Sequence, residues 1–294
     1  VRVAIATIVA VPPEFRDDER LAEALGRRGV EVRRVPWDAD GVDWSSFDAV
    51  VIRSTWDYST RRDEFVAWAD AVGPRLHNSA ALVRWNSDKH YLADLAEAGI
   101  GVVPTTYVLP GDPLPPLTGE IVVKPAVSAG GNDTGRFSPR THHLAADLVA
   151  HIHAGGRTAM IQPYLASVDT RGETAVVCID GTPSHILRKR AVLRADEVAP
   201  VLDNGVVAAA AMFDPDLVVA GDATDAELQV ATAVLDHVTD RFDYVPLYAR
   251  VDLVAGPDGR PVVMELEAVE PNLYLDVAPG SLDRVVEAVI ARAS

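Results

Sequence analysis

Lys124 stands in IVVKPAVSAGGNDTGRF, on an apolar, strand-like run that passes four residues later into a small-residue loop. An ammonium on such a strand is costly to desolvate unless an anion meets it. Gly130, Gly131 and Gly135 let backbone N–H groups approach an anion closely, and Ser128 and Thr134 add hydroxyl donors, the complement a polyphosphate requires. The loop is neither a Walker sequence nor G-x-G-x-x-G, and a mobile hairpin connection would also explain its glycines.

A second group is acidic: Asp252 in YARVDLV, then Glu265 and Glu267 in VVMELEA. The two runs read as paired antiparallel strands, on which alternate side chains share a face, so Glu265 and Glu267 project together and Asp252 joins them from the neighbour. Three carboxylates on one face repel unless a cation sits between them, and Mg²⁺, a hard ion held by a few carboxylates plus substrate phosphates, is the natural candidate. A solvated sheet face is the alternative. Arg250 would lie on the same face as Asp252 and could stabilise negative charge developing in a transition state.

The third group is RSTWDY, residues 53–58, at the end of a strand. It places Arg53, Ser54, Thr55, Asp57 and Tyr58 where an open α/β sheet presents its ligand crevice. Arg53 could clamp a carboxylate and Asp57 an ammonium, the two handles of an amino acid. A helix N-terminal turn around a packed Trp56 explains the same residues. His142 and His143 have no metal-ligand spacing and read as surface helix residues.

These groups need a scaffold, and the hydropathy pattern supplies one. Val- and Ile-rich runs alternate with segments of helical period through the first hundred residues, as in βαβ units around a mostly parallel sheet. Strands are expected over 2–9, 30–35 and 47–54, and helices over 17–29 and 61–72. Asn78 or Ser79 caps a short helix, and Ser87 or Asp88 a longer one that carries Lys89 and ends at Gly99; the strand VVPTTYVL follows. The Pro-rich stretch LPGDPLPPLTGE leads into a small α+β lid with strands at IVVKP and TAMIQPYL and a helix over 142–154. Asp180-Gly181 then joins ETAVVCI to TPSHILRKRAV as a hairpin. Residues 194–224 read as irregular, a helix follows over 225–242, then PLYARVDLV and RPVVMELEA joined around GPDG, and a last helix over 281–293. The fold class is therefore α/β, in three units: 1–108, 109–166 and 167–294.

Composition narrows the function. The 294 residues are 48% hydrophobic and 24% charged, the balance of an ordinary globular protein. A formal charge of −16 argues against a phosphate-backbone or anionic-membrane binder. No apolar stretch is long enough to span a membrane, no small-residue cleavage pattern follows the first strand, and Cys178 in TAVVCI reads as a buried, inert thiol, so a soluble, cytoplasmic protein is expected. The 27 cations comprise 24 Arg and only three Lys: Lys89, Lys124 and Lys189. In a chain that avoids lysine, a position that keeps it is one where an ammonium is needed.

Lys89, then Lys124 before a glycine loop, MIQPYL, and an Asp followed by Glu-x-Glu on two late strands together resemble the ATP-grasp superfamily, in its glutathione-synthetase-like and ribosomal-modification-ligase-like branch. The resemblance spans nearly the whole chain and implies an N-terminal pre-ATP-grasp unit, a lid, and a C-terminal unit with an antiparallel sheet. It implies further that Lys89 and Lys124 bind ATP phosphates, that the loop 128–135 closes over them, and that Gln162, Pro163, Tyr164 and Leu165 form the adenine hinge. Asp169 or Glu173 would contact ribose. Asp252, Glu265 and Glu267 would ligate two Mg²⁺ ions, with Arg250 and Lys189 as catalytic cations. Relatives usually have Asn where Glu267 stands, and the added charge is expected to tighten metal binding. Many also carry a Gly-Gly loop where this chain has VLDNGVVAAAAMF, so no phosphate contact is assigned there.

RSTWDY, WNSDK and MELEAVEPNLYL resemble more narrowly the subgroup of O-ureido-serine cyclo-ligases, which form cycloserine. Asn272 joins the RSTWDY residues as an expected substrate contact. The implied reaction phosphorylates a carboxylate with Mg-ATP, and a nitrogen of the same molecule then attacks the acyl-phosphate. The rivals are an intermolecular carboxylate–amine ligase and a non-catalytic nucleotide sensor. An NAD-binding oxidoreductase is a weaker rival still, because the first strand lacks a glycine turn for a pyrophosphate. The expected partner is a small amino-acid-like molecule, with no nucleic acid or membrane; a homo-oligomer is left open.

Overall fold

The run AVVI is apolar on both faces, which suits a strand covered on each side. In the computed structural model, which describes residues 1–12, 15–191, 193 and 217–294, it forms β3 (Ala49–Ile52), buried throughout. Beside it lie β1 (Arg2–Thr7), β2 (Glu31–Pro36) and β4 (Leu76–His77), in the parallel order β2-β1-β3-β4. Helix α1 (Asp17–Arg27) buries Leu21, Ala24 and Leu25, and α2 (Arg62–Val72) buries Phe65, Val66, Ala69 and Val72.

Ser79 caps α3 (Ala80–Asn86), its Oγ accepting from the Leu82 N–H at 3.4 Å. Lys89 lies in the turn before α4 (Tyr91–Glu97) rather than in the helix. Two hydrogen bonds account for the difference: Asp88 Oδ1 accepts from the His90 N–H at 3.1 Å, and the Lys89 N–H donates to the Ala126 carbonyl at 2.9 Å, across to the lid.

The lid is an antiparallel sheet, β5-β8-β6-β7, built from β5 (Thr106–Val108), β6 (Ile121–Pro125), β7 (Gly135–Phe137) and β8 (Ala159–Pro163). Its hydrogen bonding thus begins at Thr106. Strand β7 falls at the end of AVSAGGNDTGRF, which the sequence presents as loop because a three-residue strand gives no periodicity. A Cβ at Gly135 would lie 2.6 Å from the Phe137 ring, so glycine is required there. Helix α5 (His142–Ala154) buries Ala145, Leu148, Val149 and Ile152, one helical stripe, against Val123, Phe137 and Ile161.

The C-terminal sheet is antiparallel in the order β11-β10-β9-β12-β13. Its strands are β9 (Glu173–Ile179), β10 (Thr182–Lys189), β11 (Val218–Ala220), β12 (Tyr248–Ala255) and β13 (Pro261–Glu267), with short α6 (Ser167–Arg171) ahead of them. Asp180 and Gly181 both have positive φ, 48° and 75°, the tight hairpin their identities predict. A capping box of Thr224 and Glu227 starts α7 (Asp225–Phe242). Helix α8 (Ser281–Arg292) packs Val285, Val286 and Val289 in one core with Val3, Ile5, Leu21, Leu25 and Val177, which ties the end of the chain to the first sheet. Cys178 is buried. No helix among the described residues is long and apolar enough to cross a membrane. The VLDNGVVAAAAMF segment and most of 194–224 lie outside the described residues.

Candidate active site

Strands β12 and β13 pair Asp252 with Glu265 and Arg250 with Glu267. Antiparallel alternation therefore brings all four side chains to one face, as the sequence predicted. They line a cavity of about 480 Å³ together with Lys89, Lys124, Lys189 and residues from the lid and the N-terminal unit.

The charges on this face are arranged as a network. Arg250 donates Nε to Asp252 Oδ1 at 2.9 Å and Nη2 to Asp252 Oδ2 at 3.0 Å, contacts Glu267, and donates Nη1 to the Asn272 carbonyl at 3.0 Å. Lys189 from β10 bridges Asp252 at 2.8 Å and Glu173 at 3.0 Å. Lys89 lies 3.3 Å from Glu265 and donates to the Ser128 carbonyl at 2.9 Å, joining the lid loop to β13. Burial opposes ionisation of Asp252, but Arg250 and Lys189 outweigh it and hold the carboxyl at about 2. Glu267 goes the other way: burial, beside Asp252 and Glu265, pushes it up to about 7 despite Arg250. Glu270 rises to about 8 through burial and the neighbouring Glu267.

The cations that separate the carboxylates thus come from the chain itself. No three His, Cys, Asp or Glu side chains among the described residues are arranged to hold a metal ion as they stand. The donor chemistry nevertheless fits Mg²⁺: Asp252, Glu265 and Glu267 bring hard carboxylate oxygens to one face of the cavity.

Lys124 differs from the other two lysines. Its side chain is buried, with no ion pair among the described residues, and burial lowers its pKa although Glu265 acts in the opposite sense. Ser128, Gly130, Gly131, Thr134, Gln162, Pro163, Tyr164 and Leu165 all line the cavity, so the two lid segments singled out from sequence meet there. Gln162 is held by donation to Thr105 Oγ1 at 2.8 Å. Of the two acids expected near ribose, Glu173 lines the cavity and Asp169 does not. Asp169 accepts both Arg136 Nη1 and Nη2 at 2.9 Å and the Tyr164 hydroxyl at 2.6 Å. Arg136, which no sequence motif marked, lies over the Tyr164 ring at 3.4 Å and also binds Glu120.

The RSTWDY group divides. Tyr58 lines the cavity, as does Asn272, whereas Arg53, Ser54, Thr55 and Asp57 do not. Arg53 and Ser54 are committed to the buried Asp18, at 3.3 and 2.5 Å, and Arg53 also donates to the Pro271 carbonyl at 2.9 Å. Thr55 is fully buried, and Asp57 accepts from Trp37 Nε1 at 2.8 Å. The N-terminal wall of the cavity is aromatic instead: Phe15 and Trp56, with ring centroids 4.5 Å apart, beside Tyr58. Sequence reasoning also missed Glu270 and Tyr274, both in the lining; their neighbourhood in EAVEPNLYL was the available signal.

Comparison with known proteins agrees with this architecture. Residues 3–78 match the family model of the N-terminal domain of D-cycloserine synthetase DcsG. The cycloserine biosynthesis protein DcsG of Streptomyces lavendulae is 36% identical over 304 aligned positions, which cover 98% of this chain and 97% of that protein. The crystal structure of D-cycloserine synthetase DcsG superposes with a TM-score of 0.87 at 34% identity, covering 100% of both chains. A D-alanine–D-alanine ligase from Bacillus anthracis shares the fold, with a TM-score of 0.67 at 16% identity over 100% of this chain and 97% of that one.

Proposed function

The chain belongs to the D-cycloserine synthetase DcsG family of ATP-grasp ligases, ADP-forming enzymes that make carbon–nitrogen bonds, and from this we propose that its own reaction closes O-ureido-D-serine to D-cycloserine. The observation that carries the reading is the cavity itself. It joins a lid with a glycine loop and a Lys124 that has no ion pair among the described residues, a sheet face with paired carboxylates and cations, and an aromatic N-terminal wall.

In this reading Lys89 and Lys124 take the ATP phosphates, with Ser128, Gly130, Gly131 and Thr134 closing over them. Gln162 to Leu165 meet the adenine, and Glu173, the one of the two expected acids that lines the cavity, contacts ribose. Asp252, Glu265 and Glu267 would hold Mg²⁺, which when bound neutralises charge on the transferring phosphoryl group. Arg250 and Lys189, fixed by Asp252, present preorganised positive charge to the same region. The protein's contribution is alignment and electrostatics, as in phosphoryl transfer generally.

A substrate carboxylate oxygen attacks the γ-phosphorus and ADP leaves. The oxygen-linked nitrogen of the same molecule then attacks the acyl carbon, loses its proton, and expels phosphate as a five-membered ring forms. Atom balance requires the carbamoyl group on that nitrogen to leave, with water, as carbon dioxide and ammonia. Phe15, Trp56 and the lid exclude bulk water, which would hydrolyse the acyl-phosphate. The test is ADP release from Mg-ATP across a panel of amino acids that includes O-ureido-D-serine. Stimulation by O-ureido-D-serine is expected; no stimulation by any carboxylate would end the ligase reading for this chain.

A further inference from the structure

Among the described residues five carboxylates line the cavity, and four of them have a side-chain cation: Glu173 and Asp252 share Lys189, Glu265 has Lys89, and Glu267 has Arg250. Glu270 has none among the described residues. A half-buried carboxylate that faces the cavity without a counter-charge is unfavourable, so this position calls for a cation brought by a ligand.

Two features place it. The segment that carries it is fixed on both sides, because Arg53 donates to the Pro271 carbonyl at 2.9 Å and Arg250 to the Asn272 carbonyl at 3.0 Å. Glu270 also lines the same cavity as Tyr58 of the N-terminal unit. Phe15 and Trp56 line the same cavity, and aromatic faces favour an organic ammonium. An α-ammonium is one carbon from the carboxylate that takes the phosphoryl group, so its acceptor must stand beside the phosphate-handling cations. Glu270 follows Glu267 by three residues and lines the cavity together with Lys89.

We infer that Glu270 receives the α-ammonium of the amino-acid substrate and makes the enzyme select amino acids over plain carboxylates. Arg53 is then a positioning residue that acts through Pro271, in place of the direct carboxylate clamp its sequence suggested. The inference deepens the proposed function and rests on it for the amino-acid character of the substrate.

The experiment compares carboxylate-stimulated ADP release with O-ureido-D-serine and with the analogue whose α-ammonium is replaced by hydrogen, in the wild type, Glu270→Gln and Glu270→Asp. The wild type should prefer the amine by about 10- to 100-fold in kcat/KM, the size of a charge-assisted contact. Glu270→Gln should remove most of that preference, chiefly through KM for the amine, while Glu270→Asp keeps it. A wild type indifferent to the amine overturns the inference. So does a Glu270→Gln enzyme that keeps the preference but needs about 10-fold more Mg²⁺ for half-maximal rate, which would mark a metal ligand. If both compounds release ADP and no ring product forms, the cyclisation reading fails while the amine preference still decides the role of Glu270.

Discussion

On the lid wall Lys124 projects from β6 with no carboxylate at ion-pair distance among the described residues, whereas on the C-terminal wall Lys189 of β10 sits between Asp252 at 2.8 Å and Glu173 at 3.0 Å. Burial lowers the pKa of the first; for the second, the two carboxylates outweigh burial and raise it. The same side chain is thus stored at a cost in one wall and locked by partners in the other. Lys124 contributes little to the fold and is available to an incoming anion. Lys189, Asp252 and Arg250 stabilise one another, so they are preorganised and cannot be removed singly without structural damage.

The largest effect that could break this contrast is on the C-terminal wall. Asp252→Ala should cost about 3–5 kcal/mol of stability as well as activity, because Lys189 and Arg250 would be left buried without a common acid. A denaturant midpoint close to the wild type would show that the network is not load-sharing. On the lid wall, Lys124→Met should lower kcat/KM for ATP by about 10²- to 10³-fold, the size expected for a preorganised charge at a phosphoryl group. Its melting temperature should equal or exceed that of the wild type, since an unpaired ammonium is replaced by an apolar chain. A clear loss of stability would mean that Lys124 has a structural partner after all.

The smallest expected effect lies between the walls. Arg136 joins lid strand β7 to Asp169 on α6 and lies over Tyr164. Its carboxylate partners are about a third exposed or more, so Arg136→Leu should cost at most about 1 kcal/mol of stability. It should raise KM for ATP several-fold by freeing the Tyr164 hinge, and an unchanged KM would remove Arg136 from the nucleotide site.

The contrast also explains what was legible in the sequence. Lys124 was visible because an ammonium inside IVVKP violates the apolar pattern, and the acids of β12 and β13 because strand alternation fixes which side chains share a face. The hairpin at Asp180-Gly181 and the helix 225–242 followed from local turn and capping chemistry. Pairing between distant strands carries no such local mark. Nothing near Asp252 indicates that Lys189, 63 positions earlier, is its partner, so the sequence pattern points to a metal ion as the cation between the carboxylates. Arg53 misled for the same reason: its carboxylate is Asp18, 35 positions away, and a side chain spent inside the fold looks in sequence like one offered to substrate.

The central claim is that one amino-acid substrate supplies both the carboxylate and the nitrogen. It is tested most directly by incubating the protein with Mg-ATP and O-ureido-D-serine as the sole acceptor and measuring ADP and product mass together. ADP release should be matched one to one by the five-membered ring product, with no second amine present. ADP release that requires a separate amine and yields a linear amide would contradict it.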